Sequence, residues 1–264
     1  MRRLLFVFAL ALALVFTTGD DMRAQNKGVL TGQNVAPVFE GWQRQPDGTI
    51  SMWFGYFNRN FEEVLDIPVG ANNTIDPGMD GGQPTHFLPR RQRFLFKVPL
   101  PKDWPKERRM VWTLTAHGRT DKAQGWLQPE WEVDDGVIQM NIGPGGAPPD
   151  PPNNWPKITG SPNQTATLTG TMILQARATD DGIPKPRVGA RSRGPARGVT
   201  IRWIQYRGPG HVTFGTPIAT GEYGKPVDSS TTASFGAPGT YVLWAIASDG
   251  LLETPLAVTV TVKQ

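Results

Sequence analysis

The stretch Leu256-Ala257-Val258-Thr259-Val260-Thr261-Val262 sets an aliphatic side chain at every second position and a small or hydroxylated one between. Side chains of an extended strand point to alternate faces, so this period of two predicts a strand with one face in a core and the other turned outward. The pattern recurs upstream. Met172, Leu174, Ala176 and Ala178 alternate with Ile173, Gln175, Arg177 and Thr179, while Val199, Ile201 and Trp203 form one inward row and Tyr241, Leu243, Ala245 and Ala247 another. Asp181-Gly182, Gly208-Pro209-Gly210, Pro238-Gly239 and Asp249-Gly250 punctuate these runs, because Gly accepts positive φ and Pro and Asp favour turns. Strands at this spacing predict an antiparallel sandwich.

Several motifs in this half stand in a distinctive order: Asp180-Asp-Gly-Ile-Pro184, Trp203, Gly208-Pro-Gly-His-Val-Thr-Phe214, Ala237-Pro-Gly-Thr-Tyr-Val-Leu243, Ser248-Asp-Gly250 and the terminal Val/Thr run. In this order they resemble the PKD-type group of immunoglobulin-like domains over residues 158–264, although no Trp-x-Phe-Gly-Asp-Gly run is present. The resemblance implies adhesion, spacing or domain presentation rather than catalysis. It also places Trp203 as the central tryptophan of the third strand and Tyr241 as a tyrosine corner. Leu243 then falls where disulfide-bonded members carry cysteine.

The first half is β by the same test. Ile50, Met52, Phe54 and Tyr56 alternate, as do Phe94, Phe96 and Val98, and Met110, Trp112, Leu114 and Ala116. Val64–Ile67, Ala123–Leu127 and Val137–Met140 are shorter strand candidates, and residues 70–90 read as a long loop. Between the halves, Gly143-Pro-Gly-Gly-Ala-Pro-Pro-Asp-Pro-Pro152 disfavours regular structure, since proline fixes φ and removes a donor. The expected architecture is all-β: two β-sandwich, immunoglobulin-like domains at 33–142 and 158–264, joined by a Pro/Gly-rich linker at 143–157.

Arg2 and Arg3 precede the apolar run Leu4–Phe16, which is short for a membrane span and of ordinary length for the core of a signal peptide. A signal peptide over 1–24 is expected, with the mature chain periplasmic or extracellular and no transmembrane segment after cleavage. The 264 residues include no cysteine, which excludes disulfides, thiolate metal sites and cysteine nucleophiles. Residues 33–142 carry twelve Lys and Arg against fourteen Asp and Glu, and residues 158–264 ten against six. Neither half has the dense basic surface of a nucleic-acid binder.

No His-Glu-x-x-His, nucleophile elbow or paired histidines are present, so no catalytic residue is assigned. His86 and His117 could meet Glu62, Glu63 or Asp66 in a metal-dependent hydrolase, but strand parity puts His117 on the outward row with Thr113 and Thr115. Trp126 and Trp131, with Trp104 nearby, either stack on sugar rings or complete a core that lacks disulfides. Asp180, Asp181 and Asp249 fall on loops at one end of the second sandwich and form a candidate calcium site; otherwise no cofactor is expected. Lys185, Arg187, Arg191, Arg193 and Arg197 crowd a loop without acids, suited to an anionic envelope polymer. Parity also sends Ile204, Tyr206, Trp244 and Ile246 to one outer sheet face, an apolar patch expected to be an interface. The functional expectation is an exported, non-catalytic module that binds protein or envelope polymer, with a glycan-binding protein as the alternative.

Overall fold

The computed structural model describes residues 29–142, 149–185 and 197–264. The expected signal peptide, Arg187, Arg191 and Arg193 lie outside these residues, and of Arg197 only the backbone is described.

The protein is all-β. In the first unit the strands are β1 (Val35–Arg44), β2 (Ile50–Asn58), β3 (Leu65–Asp66), β4 (Asn73–Asp76), β5 (His86–Phe87), β6 (Arg90–Pro99), β7 (Met110–Ala116) and β8 (Arg119–Gly125). They form sheets ordered β1-β2-β6 and β4-β7-β8, with β3 and β5 paired separately. Both three-stranded sheets turn their alternate apolar rows inward. Met52, Phe54 and Tyr56 from one, and Trp112 and Leu114 from the other, are almost completely buried. Phe54 and Phe96 meet the Trp112 ring nearly edge-on, at 6.1 and 5.1 Å between centroids, a favoured arrangement of aromatic quadrupoles.

Residues 70–90 depart from the expected loop. They hold β4 and β5 and are tied down by a buried amide network rather than by alternation. Asn73 Nδ2 donates to the Ile67 and Pro84 carbonyls, its Oδ1 accepts from Trp112 Nε1 at 3.0 Å, and Gln83 Nε2 donates to the Asn73 backbone carbonyl. The large majority of buried polar groups in folded proteins are satisfied in this way. The candidate strand at Val137–Met140 is instead part of helix α1 (Asp135–Ile142). Asp134 caps it, accepting from Val137 N at 2.8 Å, and Ile138 is fully buried beneath it.

The second unit contains β9 (Lys157–Gly160), β10 (Gln164–Thr167), β11 (Met172–Thr179), β12 (Arg197–Arg207), β13 (Val212–Phe214), β14 (Ile218–Glu222), β15 (Val227–Phe235), β16 (Gly239–Ser248) and β17 (Glu253–Lys263). A five-stranded sheet, β10-β17-β16-β12-β14, faces a four-stranded one, β13-β15-β11-β9. β10 runs parallel to β17, and the long hairpin of β16 and β17 pairs Gly239 with Val262 through to Ser248 with Glu253. Trp203, Tyr241 and Leu243 lie in the core between the sheets. Trp203 Nε1 donates to Ser229 Oγ, and Tyr241 Oη donates to the Ala237 carbonyl at 2.7 Å, the local bond of a tyrosine corner. This is an immunoglobulin-like sandwich held without a disulfide.

Candidate functional site: a cleft between the sandwiches

The outer face of β12 and β16 is where the two units meet. Ile204 is paired with Trp244, and a register shift after Gln205 lets Tyr206 lie flat on the Trp244 ring, 3.7 Å between centroids. Tyr206 is 4% exposed, yet it packs with the core of the first sandwich and not with its own. Its hydroxyl donates to the Gly82 carbonyl at 2.5 Å, and its carbonyl accepts from Thr85 N. Beside it Arg207 holds both Asp80 oxygens, at 2.8 and 3.0 Å, and donates to the Gln83 carbonyl. These bonds from Arg207 hold the Asp80 carboxyl below its ordinary range, overcoming its partial burial. The loop bearing Asp80 to Thr85 is thus the dock for β12.

A second contact lies on the far side of the interface. Leu252, from the turn between β16 and β17, is fully buried against Trp53, Phe94, Val133 and Ile138 of the first unit. Trp155, in the segment between the sandwiches, stacks parallel to Trp53 at 6.4 Å and donates from Nε1 to Asp135 Oδ2 at 2.9 Å. Gln43 Nε2 donates to the other Asp135 oxygen, while Gln43 Oε1 accepts from Trp53 Nε1. One helix terminus, one strand and the connecting segment are therefore joined through a single carboxylate.

Between the two contacts the outer sheet faces stand apart and leave a cleft of about 1160 Å³. Its aromatic walls include Trp53, Phe94, Trp155, Tyr206 and Trp244, and Ile246 and Pro255 extend the apolar surface. Arg44, Lys97, Glu132, Asp134, Asp135 and Glu253 supply charge of both signs, with Gln43 and Gln45 between them. Lys97 Nζ lies 5.3 Å over the Trp53 ring and reaches Gln45 Oε1. Burial raises the Glu253 carboxyl above its ordinary range against the opposing field of Arg202. Ligand sites have this composition: a concave, mainly apolar surface with a few placed polar groups.

The other sequence-derived candidates are scattered. Trp131 is exposed and lies 5.5 Å from the Phe39 ring; Trp126 is half-buried under the Arg109 guanidinium, and Trp104 under that of Arg108. His117 Nε2 meets Glu63 Oε1 at 3.1 Å, and His86, which is buried, meets Asp66 Oδ1 at 2.7 Å. Among the described residues, no three His, Cys, Asp or Glu side chains are gathered to hold a metal, and no helix is long and apolar enough to cross a membrane. Asp181 accepts from Asn154 N and Nδ2, and Asp249 from Asn153 Nδ2 and from Leu251 and Leu252 N. The part of the cleft contributed by Trp53, Trp155 and α1 has no signature in the sequence. Trp155 follows a proline-rich run, and its parallel stacking on Trp53 depends on a fold that alternation does not describe.

No protein-family model matches the chain, and no curated protein matches it. Among solved structures it is similar to the D00-D0 domain of Intimin, at 11% identity over 87% of this chain and 100% of that one, with a TM-score of 0.28. The S-layer protein SbsC domains 4 and 5 match at 8% identity over 60% of this chain and 66% of that one, with a TM-score of 0.26. Dimeric latent PorU from Porphyromonas gingivalis matches at 10% identity over 88% of this chain and 24% of that one, with a TM-score of 0.25. TM-scores this low carry no argument about activity or partners.

Proposed function

We propose that this chain is an exported, non-catalytic binding module that takes a glycan segment of the cell envelope in the cleft between its sandwiches. The observation that carries this reading is the lining itself. Trp155 and Trp244 each keep part of an indole ring exposed to the cleft. Flat hydrogen-bonding groups surround them: the amides of Gln43 and Gln45, the Arg44 guanidinium and the carboxylates of Glu132, Asp134 and Glu253. A pyranose ring offers one apolar face and a rim of hydroxyls, which match an aromatic plane and an amide or carboxylate edge respectively. Mixed charge suits a polyhydroxyl ligand better than a polyanion, which would need an excess of Lys and Arg.

The patch of Ile204, Tyr206, Trp244 and Ile246 bears on the same choice. The first sandwich occupies much of that face, so what remains accessible is the cleft and not a flat surface for a second protein. Calorimetric titration of soluble peptidoglycan fragments and neutral oligosaccharides into the protein tests the reading. Trp155→Ala and Trp244→Ala should each weaken binding about tenfold or more, a loss near 1.4 kcal/mol, whereas Trp126→Ala should not. Binding unaffected by both cleft substitutions, or no binding to any glycan, refutes it.

A further inference from the structure

An unbroken run of β6, Phe94 to Lys97, lines the cleft. Neighbouring side chains of a strand point to opposite faces, and the Phe96 ring is buried in the first core. Such a run can therefore line a cavity only through the strand's edge. β6 is an edge strand, for its sheet runs β1-β2-β6 and stops there.

The register shows which backbone groups that edge presents. Leu100 N donates to the Ile50 carbonyl at 2.8 Å, and Val98 and Phe96 pair with Met52 and Phe54 in the same phase. In an antiparallel ladder alternate residues bond to the partner strand, and those between turn their N–H and C=O away from it. Leu95 and Lys97 are the residues between. Among the described residues, neither makes a backbone bond on that outer side. The free stretch is short, because Phe94 has a φ of +44° beside a register shift and Pro99 has no N–H to offer. What remains is a pair of donors and a pair of acceptors within about 7 Å. Across the cleft, the run Glu253-Thr254-Pro255 carries a proline, so β6 is the better partner for an extended chain.

Charge points to what that chain carries. Of the cations lining the cleft, Arg44 lies 3.9 Å from Glu132 Oε1. Lys97 forms no ion pair among the described residues; its ammonium sits over the Trp53 ring and reaches only the neutral Gln45 amide. A ligand carboxylate would complete that pair.

We propose that the β6 edge binds a short, extended peptide ending in a carboxylate, carried as a branch of the glycan whose sugar lies against Trp155 and Trp244. The peptide pairs with the outward N–H and C=O groups of Leu95 and Lys97, and its carboxylate meets the Lys97 ammonium. This rests on the glycan reading and narrows it to a peptide-bearing glycan. A window bounded by Phe94 and Pro99 suits a branch of a few residues and not the long strand of a second protein.

The test uses the full chain and two probes: a disaccharide-peptide released from peptidoglycan, and the same disaccharide stripped of its peptide. Calorimetry should show the first binding about tenfold or more tightly than the second. Lys97→Ala removes the ammonium, and Lys97→Pro removes the edge N–H as well while sparing the bonds to β2. The ratio of the two affinities should shrink in Lys97→Ala and fall to about one in Lys97→Pro. Should Lys97→Pro fail to fold, amide exchange in the native chain gives the same answer. Exchange at Leu95 and Lys97 should slow about tenfold with the peptide-bearing probe and not with the bare one. Equal affinity for the two probes overturns the proposal and leaves the glycan reading standing. Absence of binding by either refutes the glycan reading and the proposal with it. A ratio unchanged in Lys97→Pro, or exchange at both amides unchanged by the peptide, overturns the pairing to β6.

Discussion

Asn73 shows how much of this fold rests on single polar side chains. Its amide satisfies two carbonyls of an irregular segment and accepts from the fully buried Trp112 indole of the first core. Asn73→Ala should leave three buried groups unsatisfied and cost about 3 kcal/mol or more in urea unfolding. Tyr241→Phe removes one local bond, to the Ala237 carbonyl, and should cost about 1 kcal/mol by the same measurement. Tyr241 could be singled out from sequence because its role follows from an ordered set of motifs. Asn73 could not, since Asn in a stretch rich in Gly, Pro and Asp looks like any turn residue, and only the position of Trp112 shows what it holds. The carboxylates of the second sandwich give a pH test. Asp180, Asp249 and Glu253 all have raised values in the folded chain. They favour the folded state fully below their ordinary range, and this contribution is lost as pH rises through their folded values. Asp180→Asn should therefore lose less stability than the native chain as the solution is taken from mildly acidic to neutral, as read by urea unfolding.

Among the elements, β12 and β16 make the decisive contribution, because each serves two cores. Their inward rows, including Ile201, Trp203, Tyr241 and Leu243, build the second sandwich, while Tyr206 on the outer face completes the first. Alternation alone distributes these residues between two faces, and that much was legible. What covers the outer face was not, because parity specifies a direction and not a neighbour. The bonds from Tyr206 to Gly82 and from Arg207 to Asp80 span more than a hundred residues of sequence. Helix α1 was missed for a related reason. Its eight residues are too few for a helical period to rise above the short-range pattern, and its start depends on the Asp134 cap. Tyr206→Ser combined with Trp244→Ser should leave both sandwiches folded and separate them. Small-angle scattering should then show a larger radius of gyration than for the native chain, and an unchanged radius would show that the contacts at Leu252 and Trp155 suffice to hold the units together.

On the scale of the whole molecule, two disulfide-free sandwiches are pinned at two places, and the space between the pins is the proposed binding site. The dock at Asp80 to Thr85 and the stack of Trp155 on Trp53 fix its width. All-β architecture was readable because most long strands alternate and most turns are punctuated by Gly, Pro or Asp. The cleft was not readable, because its walls come from the outward rows of strands in separate units and from a segment with no period at all. Nine tryptophans are distributed over core, cleft and remote surface, and this permits one direct measurement. In fluorotryptophan-labelled protein, each indole gives its own fluorine NMR resonance. Addition of envelope glycan fragments should shift the resonances of Trp155 and Trp244 and leave those of Trp104, Trp126 and Trp131 in place. Shifts confined to Trp104, Trp126 or Trp131, or no shift at all, would contradict the assignment of the interdomain cleft as a glycan site.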